Sequence, residues 1–199
     1  MNIARIFSPS GQYLLSVFSD VLDMSRLEAG RIQLRYAEFA LEKAVNKAVL
    51  DVAQTAREKR INLKVEIDAA QTLHADPNAI ERILTTLLRN AVKFAPEGGE
   101  VTIGAQPFKD QIYFYVEDDG PGIASEDIAR LGRPFEQADA TMANGMKGSG
   151  LGLAIANSLI ELHGGALRIT SRPGEGAVVL ATIPKLAPRR KTLPLAAVA

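Results

Sequence analysis

Two pairs of strand-like runs in this chain are joined by connections too short to contain a crossover. Glu100 to Ala105 and Gln111 to Glu117 flank a short polar turn, and Ala166 to Ser171 and Ala177 to Ile183 flank Pro173-Gly174-Glu175-Gly176. Such neighbours can pair only antiparallel, because a parallel pair needs a connection of a dozen or more residues. Helical patterns are interleaved with the other strand candidates. Leu41 to about Arg57 places Leu41, Ala44, Val45, Ala48, Val49 and Val52 on one face. Asp76 and Pro77 start a helix that ends before Pro96, with Ile80, Ile83, Leu84, Leu87, Leu88 and Ala91 apolar. The expected fold is therefore an α/β two-layer sandwich, a mixed sheet with helices on one face, rather than a doubly wound parallel sheet.

Further strands are expected at Ile32–Tyr36 and Ile61–Ile67, where residues alternate, with a short one at Leu73–Ala75. Short helical patterns follow at Ser125–Leu131 and Gly150–Leu162, the latter closed by His163-Gly164-Gly165. Ahead of all these, Ser8-Pro9 suits a helix start, and Leu14, Leu15, Phe18, Val21, Leu22 and Leu27 continue as an apolar stripe to about Glu28, with Gly30 as the stop. That stripe has little sequence around it to cover it. It suits either packing on its own domain or half of a helical hairpin that dimerises.

The candidate chemistry lies between two glycine-rich turns. Asp118-Asp119-Gly120-Pro121-Gly122-Ile123 ends a strand, and Gly148-Ser149-Gly150-Leu151-Gly152-Leu153 opens a helix. Glycine lets backbone approach a ligand, and a helix start presents free N–H groups to an anion. A carboxylate at Asp118 can accept a hydrogen bond from the amino group of adenine, although the same residues also suit an acidic surface loop. The second turn is neither a P-loop nor a dinucleotide fingerprint, because the required Lys and preceding strand are missing. The later acidic ligands of a calcium loop are missing as well. Asn90 and Lys93 share a helix face. An amide oxygen suits Mg²⁺ that arrives with phosphate, and Lys is a point charge for phosphate, while both residue types are equally at home on a solvated face. Lys147, just before the second turn, could reach phosphate or water alike. His163 suits a helix cap and His74 a structural position.

Composition removes several classes. Lys+Arg and Asp+Glu are both 23, so nothing favours nucleic acid or a membrane surface. Cysteine is absent, which excludes disulfides, thiolate zinc and a Cys nucleophile. No apolar run reaches the ~20 residues of a membrane span, and residues 1–7 lack a signal-peptide pattern. A soluble chain is expected.

Taken in order, these features resemble the catalytic, ATP-binding domain of a bacterial sensor histidine kinase of the GHKL or Bergerat type. Glu81–Phe94 resembles the N box, Asp118–Ile123 the first glycine box, and Arg133-Pro134-Phe135-Glu136-Gln137 the F box. Gly148–Leu153 resembles the second glycine box and Gly174-Glu175-Gly176 a final glycine motif. Leu22–Gly30 resembles the end of the second helix of the dimerisation and phosphotransfer hairpin, and Ser10–Ser16 suggests the PleC/DivJ-like branch.

The resemblance implies three segments: a partial hairpin helix at 1–30, the catalytic domain at 31–185, and a poorly ordered tail at 186–199. It implies ATP and Mg²⁺ as ligands. Asn90 would hold the metal, Lys93 would contact phosphate, and Asp118 would read adenine beside Gly120, Gly122 and Ile123. Residues 132–148 would form a lid, with Phe135 coupling it to the body, and Lys147, Gly148, Ser149, Gly150, Leu151 and Gly152 would meet the phosphates. Implied partners are a His-bearing helix of the same family, a response regulator receiver domain and a second copy through the N-terminal helix. The implied location is cytoplasmic, with a parent protein that can be membrane-anchored.

Two departures qualify this. Thr86 stands where the family usually has a further Asn and hydrolytic relatives have Glu, and Thr cannot act as that base. Residues 1–9 carry no phospho-acceptor histidine with its acidic neighbour. A truncated chain accounts for that most simply. A degenerate member acting as a nucleotide-dependent scaffold is the alternative.

Overall fold

The computed structural model describes residues 9–67, 71–137 and 148–185. The antiparallel pairs form as the short connections require. β4 (Glu100–Phe108) pairs with β5 (Gln111–Asp118), and β6 (Ala166–Ser171) with β7 (Ala177–Pro184). β5 also pairs antiparallel with β7, from Gln111↔Pro184 to Asp118↔Ala177. β2 (Asn62–Ile67) adds to the other side of β4 and runs parallel to it, from Asn62↔Glu100 to Ile67↔Ala105. The result is a five-stranded mixed sheet in the order β2-β4-β5-β7-β6. The parallel pair needs a crossover, and α3 (Pro77–Phe94) supplies it.

α2 (Leu41–Glu58) packs on α3, and α3 on a later helix, labelled α5 (Gly152–Leu162), so that all three lie over one face of the sheet. Leu84, Leu87 and Leu88 of α3 are buried with Ile103, Ile112, Phe114 and Val116 of the sheet in one core. Each such side chain contributes about 1.5–3 kcal/mol by leaving water. Between β5 and α5 lies the one-turn helix α4 (Ser125–Ile128), shorter than the Ser125–Leu131 expected. β4 runs past Ala105 through Pro107. Proline is tolerated there because the described β2 ladder ends at Ile67 opposite Ala105, so among the described residues no ladder partner on that side is deprived by the missing N–H.

The N-terminal region differs from the sequence reading. Ile32–Tyr36 forms no ladder. The strand is β1 (Ala37–Ala40), which pairs antiparallel with β3 (Thr72–Ala75) in a separate two-stranded sheet. Alternation at Ile32, Leu34 and Tyr36 reflects half-burial instead. Leu34 packs against the core, and the Tyr36 ring lies 5.6 Å from the rings of both His74 and His163.

α1 (Pro9–Glu28) ends at Gly30, whose φ of +63° and N–H bond to the Leu27 carbonyl form a left-handed cap. The helix packs on α5, with Met24 and Leu27 against the core, and Arg82 of α3 bridges its Asp20 and Asp23. Leu14 and Phe18 are 67% and 63% exposed, and Leu15, Val21 and Leu22 are exposed with them. β2 is an edge strand. Its Lys64 and Glu66 are exposed, and Lys64 Nζ lies 2.6 Å from Glu100 Oε1.

Candidate nucleotide-binding site

α3 is fixed at both ends, which sets the side chains on its last turns. At the N-terminus Asp76 is 8% exposed, and its carboxylate accepts from the N–H groups of Asn78 (3.0 Å), Ala79 (3.1 Å) and Arg35 (2.7 Å). The Asp76 N–H donates to His163 Nε2 at 3.2 Å, and His163 Nδ1 meets the Leu159 carbonyl at 2.7 Å. His163 is thus more than a cap of α5. It is buried at 1% exposure and joins the end of α5 to the start of α3. At the C-terminus Lys59 Nζ donates to the carbonyls of Val92 (2.8 Å), Lys93 (2.9 Å) and Ala95 (2.5 Å), groups that a helix end otherwise leaves without partners.

From this frame Thr86, Arg89, Asn90 and Lys93 face a cavity of about 440 Å³ between α3, the sheet and the two glycine turns. Val116 and Asp118 of β5, Ile169 of β6 and Ala177 and Val179 of β7 supply a largely apolar wall. Asp118 is the exception on that wall. Burial pushes its carboxyl up to about 6, against the hydrogen bond it accepts from the Gly120 N–H at 3.0 Å, which favours the ionised form.

The first turn is held by close backbone packing. Gly122 has φ +71°, and a Cβ there would lie 1.9 Å from the Arg172 carbonyl oxygen. Ser171 Oγ accepts from the Ile123 N–H at 2.9 Å and donates to the Gly176 carbonyl at 2.5 Å, pinning the turn to the β6–β7 connection. The second turn meets the opposite wall. A Cβ on Gly148 would lie 3.3 Å from Lys93 Nζ, and one on Gly152 3.3 Å from the Thr86 methyl. The start of α5 therefore abuts the Thr86–Lys93 stripe, where its free N–H groups favour an anion. Burial lowers the Lys93 ammonium below the usual lysine range.

Gly122, Ile123, Gly148, Ser149, Gly150 and Gly152 line the cavity together with Asn90, Lys93 and Asp118. Three expected residues among those described do not line it. Gly120 lies beneath the Asp118 carboxylate, Leu151 is fully buried in the core, and Phe135 is 67% exposed. Lys147 lies outside the described residues, as do residues 138–147 of the expected lid, the expected Ser8 cap and residues 186–199. The Phe135 backbone still matters. Its N–H donates to the Gly150 carbonyl at 3.1 Å, and Gln137 Nε2 donates to the Gly148 carbonyl at 2.7 Å. These bonds tie the F-box segment to the second glycine turn.

Sequence reasoning missed the α1 wall. Ser16, Val17 and Asp20 line the cavity, and Ser149 Oγ donates to Asp20 Oδ2 at 3.3 Å. It also missed Ser171, Glu136 and Arg89. The donor set suits Mg²⁺ that arrives with phosphate. Asn90 offers one hard amide oxygen and Glu136 a carboxylate on the same cavity, and this metal keeps most of its shell from water and phosphate.

The matching family model is that of the histidine kinase-, DNA gyrase B- and HSP90-like ATPases, over residues 75–187. The chain belongs to this family, and within it carries the ATP-binding catalytic domain of the histidine kinases. It is 42% identical over 179 residues to the Non-motile and phage-resistance protein of Caulobacter vibrioides, covering 88% of this chain and 21% of that protein. It is 36% identical over 184 residues to the Histidine protein kinase DivJ of the same organism, covering 92% of this chain and 31% of that one. Full-length ShkA, solved in complex with AMPPNP, superposes with a TM-score of 0.78 at 32% identity, covering 90% of this chain and 38% of ShkA. The chain thus spans about a fifth to a third of the curated relatives it matches. No helix among the described residues is long and apolar enough to cross a membrane.

Proposed function

We propose that this chain binds Mg–ATP as the catalytic module of a two-component sensor histidine kinase. The γ-phosphoryl group passes to a histidine on a helix outside the catalytic domain, then to an aspartate on a response regulator receiver domain. In the first step the bond from γ-phosphorus to the bridging oxygen of ADP breaks and a bond to imidazole nitrogen forms. The observation that carries the reading is one cavity lined by Asp118 on its largely apolar sheet wall and by Asn90, Lys93 and the start of α5. That arrangement fits an adenine at the apolar end and a polyphosphate at the polar end.

In this reading Asp118 accepts from the adenine amine, and Gly120, Gly122 and Ile123 shape the base pocket. Lys93 and the Gly148–Gly152 turn meet the phosphates, and Asn90 holds the metal, which supplies charge neutralisation on the phosphoryl oxygens. Phe135 and Lys147 belong to the lid segment. Residues 1–30 are the hairpin part, 31–185 the catalytic domain, and the module works in the cytoplasm as a homodimer through α1. The chain's histidines are His74 and His163, on β3 and at the end of α5. Neither lies on the hairpin helix.

Calorimetry with ATP and Mg²⁺ tests the site. Asp118→Ala is expected to weaken ATP about tenfold or more, the loss of a hydrogen bond to a charged group. Unchanged affinity would sink the assignment. Thr86 on the cavity wall favours a second reading, a scaffold whose partner binding follows nucleotide occupancy without transfer. Mixing the chain with a separately made His-bearing hairpin and γ-labelled ATP separates the two. Label on the hairpin rules out the scaffold.

A further inference from the structure

Arg89 faces the cavity and has no part in the roles above. It follows Thr86 by three residues and precedes Lys93 by four, so it shares their stripe of α3 with Asn90. It lines the nucleotide cavity and also a polar hollow of about 410 Å³ between α1, α2 and α3. Its guanidinium makes a two-point contact with Asp51 of α2, Nε to Oδ2 at 2.5 Å and Nη2 to Oδ1 at 2.8 Å. The Arg89 side chain is 61% exposed, so water screens this pair and weakens its hold. A better anion can displace Asp51.

Position along α3 indicates which anion. Phe94 adjoins the first glycine turn beside Asp118, since a Cβ on Gly120 would lie 3.0 Å from the Phe94 carbonyl oxygen. Lys93 adjoins Gly148 in the second turn. Arg89 lies one helical turn farther from Asp118 than Lys93 does, about 6 Å along the axis. It is the cation beyond Lys93 on a path that starts at the base pocket.

Charge supports the same assignment. Among the described residues the cavity is lined by Asp20, Asp118 and Glu136 and by two cations, Lys93 and Arg89. Asp20 is paired with Arg82, and Arg130 lies 3.9 Å from Glu136, so the cavity's own lining cations are Lys93 and Arg89, and displacing Asp51 adds the Arg89 charge to that of Lys93. The planar guanidinium fork that engages two oxygens of Asp51 also matches two oxygens of a phosphoryl group.

We propose that Arg89 exchanges Asp51 for the terminal phosphoryl group of bound nucleotide and thereby lets the site distinguish a nucleoside triphosphate from a diphosphate. The inference rests on the nucleotide-binding reading above. Its test is calorimetry of the full chain with Mg–ATP and with Mg–ADP. Arg89→Ala is expected to weaken ATP about tenfold while ADP stays within about twofold, as loss of one charge-assisted contact to the terminal group requires. Asp51→Asn frees the guanidinium and is expected to tighten ATP about two- to threefold, with ADP unchanged. Equal losses for ATP and ADP in Arg89→Ala, or no loss for either, would overturn the assignment. If Arg89→Ala melts before binding can be read, the Asp51→Asn result decides, and ATP affinity that fails to rise overturns it. Wild-type chain that binds neither nucleotide overturns the site itself, whereas wild-type binding with an indifferent Arg89→Ala overturns Arg89 alone.

Discussion

Burial of the Asp118 carboxyl sets folding against binding at a single residue. Its ordinary value of 3.8 rises to about 6 in the folded chain. Between those values the folded chain keeps a proton that the unfolded chain has lost. The group's contribution to stability therefore falls as pH rises through that window, and above it the buried carboxylate is a net cost. Asp118→Asn is expected to stabilise the chain at pH 7 by about 1–2 kcal/mol after allowing for partial exposure, and so to raise its melting temperature. The gain should shrink towards pH 4. Melting curves of both proteins at the two pH values check this, and a variant no more stable at pH 7 would remove the argument. At this scale the sequence made Asn90, Lys93 and Asp118 legible, because spacing on one helix and position at a strand end are local facts. Asp20, Arg89 and Ser171 were not legible. Asp20 reaches the cavity through packing of α1 on α5, Arg89 is held there by an ion pair from α2, and Ser171 pins the first glycine turn to the β6–β7 connection, none of which has a local signature.

The cavity-lining stripe on α3 depends on how the element is held. Lys59 meets three carbonyls at its C-terminus, including that of Lys93 itself. Removing the ammonium leaves those oxygens to water or unsatisfied. Lys59→Met, which keeps the aliphatic stem, is expected to cost about 2–3 kcal/mol. It should also weaken nucleotide by loosening the turn that carries Asn90 and Lys93. Denaturant unfolding and calorimetry measure the two effects, and stability within 0.5 kcal/mol of wild type, about the scatter of ordinary surface substitutions, would contradict the role of the cap. α3 was the most legible element, since Asp76, Pro77 and Pro96 mark its ends by side-chain chemistry. β1 was the least. Ala37-Glu38-Phe39-Ala40 has little strand propensity, and only pairing with Thr72–Ala75 makes it a strand, while the alternating Ile32–Tyr36 beside it finds no partner.

Across the whole molecule, α1 is an element with one face used and the other open. Met24 and Leu27 pack inward and Asp20 and Asp23 meet Arg82, while Leu14, Leu15, Phe18, Val21 and Leu22 face out. A contiguous apolar face of this kind favours association. Light scattering is expected to show a dimer that Phe18→Glu with Leu15→Glu converts to monomer, leaving the melting temperature of the catalytic domain unchanged. A wild-type monomer at high concentration would contradict this. The mixed sheet was legible because the short connections permit few alternatives, whereas the seat of α1 was not, since a lone stripe does not specify its partner.

The edge at β2 carries a consequence for behaviour in a crowded solution. With a formal net charge of zero, the protein has no long-range repulsion to keep copies apart. Colloidal stability then falls to local features. A second sheet adding to β2 would have to bring its own strand against Lys64 and Glu66, and would disturb the Lys64–Glu100 pair. That edge therefore resists templated aggregation through two side chains rather than through overall charge.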